Sequence, residues 1–91
     1  MEIKIQSLKF DAGEKLVGFV EKKVSRLSKF FAGQEPAAEV TLVLEKDGKT
    51  AKLQACGFII ERTSDTFENA ITACVDAMKE KLTREKEKKE A

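Results

Sequence analysis

The stretch Thr63-Ser64-Asp65-Thr66-Phe67-Glu68-Asn69-Ala70-Ile71 opens an amphipathic helix, and what that helix must cover constrains the rest of the chain. Asp65 can accept a hydrogen bond from the free amides of a first helical turn while Glu68 reaches back, an Asp version of the capping box. Beyond this start, Phe67, Ile71, Cys74, Met78 and Leu82 recur at steps of four and three, which lines one helical face. Lys79, Lys81, Arg84 and Lys88 fall elsewhere on the circumference. A helix with one apolar stripe has to lay it on another element.

The preceding segments supply that element. Ile3 and Ile5 alternate with Lys4 and Gln6, which predicts a short half-buried strand over Glu2 to Leu8. Asp11 with Glu14 repeats the capping pattern. Leu16, Phe19, Val20, Val24, Leu27 and Phe31 then mark a helical stripe that Ala32-Gly33 and Pro36 end. Gly18 inside this helix signals either close packing or simple tolerance. Val40, Leu42 and Leu44 alternate with Thr41 and Val43, and Asp47-Gly48 follows as a hairpin turn. The returning strand alternates Ala51, Leu53 and Ala55 with Lys52 and Gln54. Gly57 breaks the run, and Phe58 to Arg62 forms a last strand.

The expected order is β-α-β-β-β-α, an α+β two-layer sandwich with two parallel helices on one face of a four-stranded mixed sheet. The helical crossover makes the first two strands parallel and the hairpin makes the next pair antiparallel. Both helices then run back in the same direction, so their C-terminal ends lie together.

At 91 residues the chain is expected to form one domain over 1–91, since that length buries a single core. Charged residues from Glu2 onward and the lack of a long apolar run argue for a cytoplasmic protein with no leader and no membrane span. Cys56 and Cys74 stand far apart without a CxxC, and there is no histidine. The expectation is therefore no metal, no cofactor, and two cysteines acting as small core residues. The glycines are too scattered for a phosphate loop, and an enzyme without histidine needs an unusual base, so no enzymatic reading is supported.

Charge is uneven although it sums to only +1. Glu14 to Phe31 carries five basic and two acidic residues, Thr63 to Asp76 three acidic and no basic ones, and Ala77 to Ala91 six basic and four acidic ones. On the first helix Lys15, Lys22, Arg26 and Lys29 fall within roughly 60° of one another, with Lys23 farther round. The C-terminal half of this stripe should adjoin Lys81, Arg84 and Lys88 of the second helix. Such a stripe suits nucleic-acid phosphates, and it equally suits a solvated helix face that offsets the macrodipole. Of the adjacent Phe30 and Phe31, one can stack on a base or cover the end of the sheet.

The pattern resembles the ribosome hibernation promoting factor and ribosome-associated inhibitor family, small bacterial β-α-β-β-β-α proteins. The resemblance runs from Ile3 to Lys88. It is carried by Phe10-Asp11, by Val20-Glu21-Lys22-Lys23-Val24-Ser25-Arg26-Leu27, by the Thr63 to Ile71 segment and by Val75-Asp76-Ala77-Met78-Lys79. It implies a translation inhibitor that binds the small ribosomal subunit and its ribosomal RNA where messenger and transfer RNAs meet the decoding region. The implied RNA contacts are Lys22, Lys23, Arg26 and Lys29 on the first helix, and Lys79, Arg84, Lys86 and Lys88 on the second. Glu61 and Glu80 stand where the family commonly has a basic residue, with Arg62 and Lys81 beside them. The resemblance also implies a short form that leaves any pairing of ribosomes to a separate factor.

The competing expectation is a protein-interaction module on the open face of the sheet, where Thr41, Val43, Lys52 and Gln54 should lie. An RNA contact is salt-sensitive and maps to the helices, whereas a protein contact of that kind tolerates salt and maps to the sheet.

Overall fold

A computed structural model of the chain describes residues 2–30, 37–55 and 57–90, with the side chains of residues 28, 29 and 85–90 outside that description. The elements are β1 (Glu2–Leu8), α1 (Glu14–Ser25), a 3₁₀ helix (Arg26–Phe30), β2 (Ala37–Glu45), β3 (Gly48–Ala55), β4 (Phe58–Ser64) and α2 (Phe67–Glu90). The strands form one sheet in the order β1-β2-β3-β4. β1 pairs with β2 in parallel, and the other two pairings are antiparallel. This is the α+β sandwich that the alternating segments predict.

Alternation along the strands sorts side chains to two faces. Val40 and Leu42, Ala51 and Leu53, and Ile60 are cross-strand neighbours and are buried beneath the helices with Val20, Val24, Leu27, Phe67, Ile71, Cys74 and Met78. The small Ala38, Ala51, Ala55 and Ala70 in this layer let the helices sit close to the sheet. Thr41, Val43, Lys52 and Gln54 share the other face, as their spacing predicts. There Thr50 is buried, and its hydroxyl shares a 2.8 Å hydrogen bond with Thr63 of the neighbouring strand. Leu44, expected over the core with Val40 and Leu42, is 39% exposed because it lies at the hairpin end.

Two contacts fix the relative direction of the helices. Phe10, just before α1, stacks on Phe67 at the start of α2 with ring centroids 4.5 Å apart. Phe30, just after α1, lies beneath Lys79 in the middle of α2. The helices therefore run side by side in the same direction.

The helix boundaries correct the expectations at three points. Thr66, not Asp65, caps α2: its hydroxyl accepts the Asn69 amide at 3.1 Å, while Asp65 gives only its carbonyl to Lys49 Nζ at 3.0 Å. Glu68 is thus one residue out of register for a capping box. Helix α1 begins after Gly13 without any side-chain cap, so Asp11 lies too early, and Glu14 instead favours the helix dipole from the first turn. The helix expected to reach Phe31 tightens into 3₁₀ geometry from Arg26. Phe31, the Ala32-Gly33 and Pro36 stop, and Cys56 lie outside the described residues. Gly18 is exposed with nothing within 4 Å of an added Cβ, which resolves its role as tolerance.

Candidate nucleic-acid interface

The apolar positions of α1 and the 3₁₀ segment after it turn Val20, Val24 and Leu27 into the core, which leaves Lys23 and Arg26 on the flank beside α2. On α2 the same logic buries Ile71, Cys74 and Met78 and sends Thr72, Asp76 and Lys79 to the flank beside α1. The two flanks face each other across a cleft of about 280 Å³. Leu27 and Val75 form its floor and Phe30 one end.

Three cations line this cleft. Lys79 Nζ sits 5.6 Å from the centroid of the Phe30 ring, and Lys23 Nζ sits 5.6 Å from that of Phe19. A ring face holds an ammonium in place without neutralising it. Among the described residues the one ion pair within 4.0 Å is Arg84 with Glu80, at 2.6 Å, so Lys23, Arg26 and Lys79 keep their charge free of a close carboxylate. Cations held this way can meet an anion without first breaking an internal pair.

Of the residues expected to contact RNA, the structure brings Lys23, Arg26 and Lys79 together. Lys22 lies on the opposite flank of α1, beside Ile3, Gly18 and Glu21. The tightening at Arg26 raises the rotation per residue to about 120°, so Lys22, Arg26 and the residues beyond do not form one straight stripe. Arg84 lies farther along α2, where it shares a shallow concavity with Asp76 and Lys79. Lys29, Lys86 and Lys88 have side chains outside the described residues. Lys81, expected beside the first helix, instead covers the Phe58 ring of β4 at 5.6 Å. Glu61 faces the open side of the sheet opposite Lys52, whereas Arg62 belongs to the other face, so neither adds to the cleft.

Sequence reasoning missed Asp76 and Thr72 as cleft residues. Their spacing with Lys79, four and three residues, places them on one flank of a helix, but only the packing shows that this flank faces α1.

No other chemistry gathers among the described residues. They contain no cluster of His, Cys, Asp or Glu able to hold a metal. No helix among them is long and apolar enough to cross a membrane. The Cys74 thiol is buried and donates to the Ala51 carbonyl at 3.2 Å, and burial pushes its pKa from the ordinary 9.0 up to about 11. A thiol so protonated is a core group rather than a nucleophile.

A β-α-β-β-β-α sandwich whose two parallel helices flank a cleft lined by Lys23, Arg26 and Lys79 defines a small α+β protein with a basic groove. The sequence pattern of one family, described as Sigma 54 modulation protein / S30EA ribosomal protein, matches residues 3–90, and the chain belongs to that family. Its members are ribosome-associated regulators of translation, as the helix motifs imply. The N-terminal domain of Thermus thermophilus Protein Y is similar in structure, with a TM-score of 0.80 and 27% identity over 92% of this chain and 98% of that one. A ribosomal subunit interface protein from Coxiella burnetii shares the fold, with a TM-score of 0.73 and 19% identity over 94% of this chain and 98% of that one. No curated protein matches the chain by sequence.

Proposed function

We propose that this protein binds the small ribosomal subunit at the decoding region, through ribosomal RNA, and inhibits translation by blocking messenger and transfer RNA there. The observation that carries the reading is the convergence of Lys23, Arg26 and Lys79 from α1, the 3₁₀ segment and α2 on one cleft, with no ion pair to a carboxylate within 4.0 Å among the described residues. Rigid cations in such an array displace counterions from an RNA backbone, which gives affinity without base recognition. The slender body, 44 × 23 × 17 Å, suits insertion along an RNA-lined channel. Membership of a family of ribosome-associated factors supports a ribosomal target.

The test is co-sedimentation with purified small subunits at low salt, together with protein synthesis in a purified system. The parent protein should pellet with subunits and slow synthesis, and Lys23→Gln/Arg26→Gln/Lys79→Gln should do neither at the same concentration. A parent that stays in the supernatant and leaves synthesis unchanged overturns the reading. The open sheet face is the less favoured binding surface, because its exposed apolar residues, Leu8 at 40% and Ile59 at 55%, stand on opposite edge strands rather than in one patch.

A further inference from the structure

We infer that the cleft between α1 and α2 seats one unstacked guanine nucleotide: its phosphate lies on Lys23 and Arg26, its base against Phe30, and its Watson–Crick edge on Asp76. The inference rests on the RNA-binding reading and sharpens it from phosphate contact to recognition of a base.

Asp76 motivates it. A cleft that served phosphates alone gains nothing from a carboxylate among Lys23, Arg26 and Lys79, since that carboxylate repels the ligand. Asp76 is exposed and, among the described residues, makes no ion pair within 4.0 Å, so it is not there to neutralise a neighbour. An ionised carboxylate is an acceptor with two oxygens. Guanine is the one common base with two adjacent donors on its Watson–Crick edge, the N1–H and the N2 amino group. Adenine offers a single donor beside an acceptor, and so do cytosine and uracil. The match between acceptor pair and donor pair selects guanine.

The remaining surfaces fit the rest of a nucleotide. Phe30 is half-buried and presents a ring face that Lys79 Nζ covers at 5.6 Å. A base stacking on that ring displaces the ammonium toward the phosphate, so one contact is exchanged for another and no charge is left uncompensated. The volume of about 280 Å³ is on the scale of a single nucleotide. Bases that proteins read in RNA are those splayed out of the stack, where this edge is free.

The test is an amide-shift NMR titration of the ¹⁵N-labelled full chain with guanosine 5′-monophosphate, adenosine 5′-monophosphate and inorganic phosphate. The spectra also report whether each variant is folded. The guanine nucleotide should shift Phe30, Val75, Asp76 and Lys79 saturably and bind about fivefold tighter than the adenine nucleotide. Asp76→Asn should erase that preference, and Phe30→Ala should weaken both nucleotides. Equal affinity for the two, a preference that survives Asp76→Asn, inorganic phosphate reproducing every shift, or no saturable shift at all would each overturn the inference.

Two sources of guanine remain to be told apart, and subunit co-sedimentation does so. If the base belongs to ribosomal RNA, Asp76→Asn weakens subunit binding by a similar factor without changing its salt dependence. If it belongs to a free nucleotide, subunit binding ignores Asp76→Asn while the titration result stands. Failure of the parent to bind subunits sinks the ribosomal reading alone, because the titration needs no ribosome.

Discussion

Cys74 shows at the scale of one residue how burial converts a polar atom into a pH-dependent contribution. Its thiol is held near pKa 11 instead of 9.0 because its desolvated pocket disfavours the thiolate, and its proton is committed to the Ala51 carbonyl. Between those two values the unfolded chain releases the proton while the folded chain keeps it, so stability is complete below pH 9 and falls as pH rises through the window. Urea unfolding of the parent should therefore lose about 2–3 kcal/mol more than Cys74→Ala between about pH 8 and about pH 11. Parallel losses in the two proteins would show that the thiol is not the titrating group. Gly18 makes the opposite point: an added Cβ meets nothing within 4 Å on an exposed helical surface. Gly18→Ala should raise stability by about 0.5–1 kcal/mol, read as a higher urea midpoint, because only the backbone entropy of the unfolded chain changes.

Elements are legible in this sequence because period is a global property of a segment, whereas ends are local contests. The stripes Val20-Val24-Leu27 and Ile71-Cys74-Met78 both proved to be buried faces, since no other arrangement keeps their apolar area from water. The start of α2 was not legible, because Ser64, Asp65 and Thr66 are all good caps. The winner is set by tertiary pairing: Ser64 is still opposite Lys49 in the β3–β4 ladder and the Asp65 carbonyl is held by the Lys49 ammonium, so the cap falls to Thr66. Thr66→Ala should cost about 0.5–2 kcal/mol and Asp65→Ala much less in urea midpoints, a ranking that reverses if Asp65 is the cap after all. The 3₁₀ segment was hidden for a related reason. Leu27 and Phe30 are spaced by three, which fits either helix, and only contact with α2 selects the tighter one. On the stripes themselves, Leu27→Ala and Phe67→Ala should each cost about 2–5 kcal/mol. Losses below about 1 kcal/mol would mean that neither side chain leaves a cavity.

On the scale of the whole molecule, the candidate site exists only because two helices lie parallel on one sheet. Spacing put Arg26 on a basic stripe with Lys23 farther round, and the parallel helices predicted that the stripe adjoins Lys81, Arg84 and Lys88. Only the family resemblance pointed to Lys79, which lines the cleft, while Lys81 packs on β4. If Lys23, Arg26 and Lys79 meet phosphates, replacing all three by Gln should flatten the slope of log K for subunit binding against log salt by about 0.7–0.9 for each lost contact. An unchanged slope would return the cleft to an ordinary solvated surface. The sheet order carries a kinetic consequence. β2, β3 and β4 are sequential antiparallel neighbours closed by short turns, while β1 touches the sheet through one parallel edge and reaches it only after the chain has traversed α1. Loop closure therefore delays β1, and the half-buried Ile3 and Ile5 give it a weak hold once it arrives. Assembly then runs from the meander and α2 outward, and β1 is the last strand to dock and the first to detach. In deuterium exchange its amides should trade protons sooner than those of β3, with local openings that uncover the edge of β2 while the rest of the sheet stays shut.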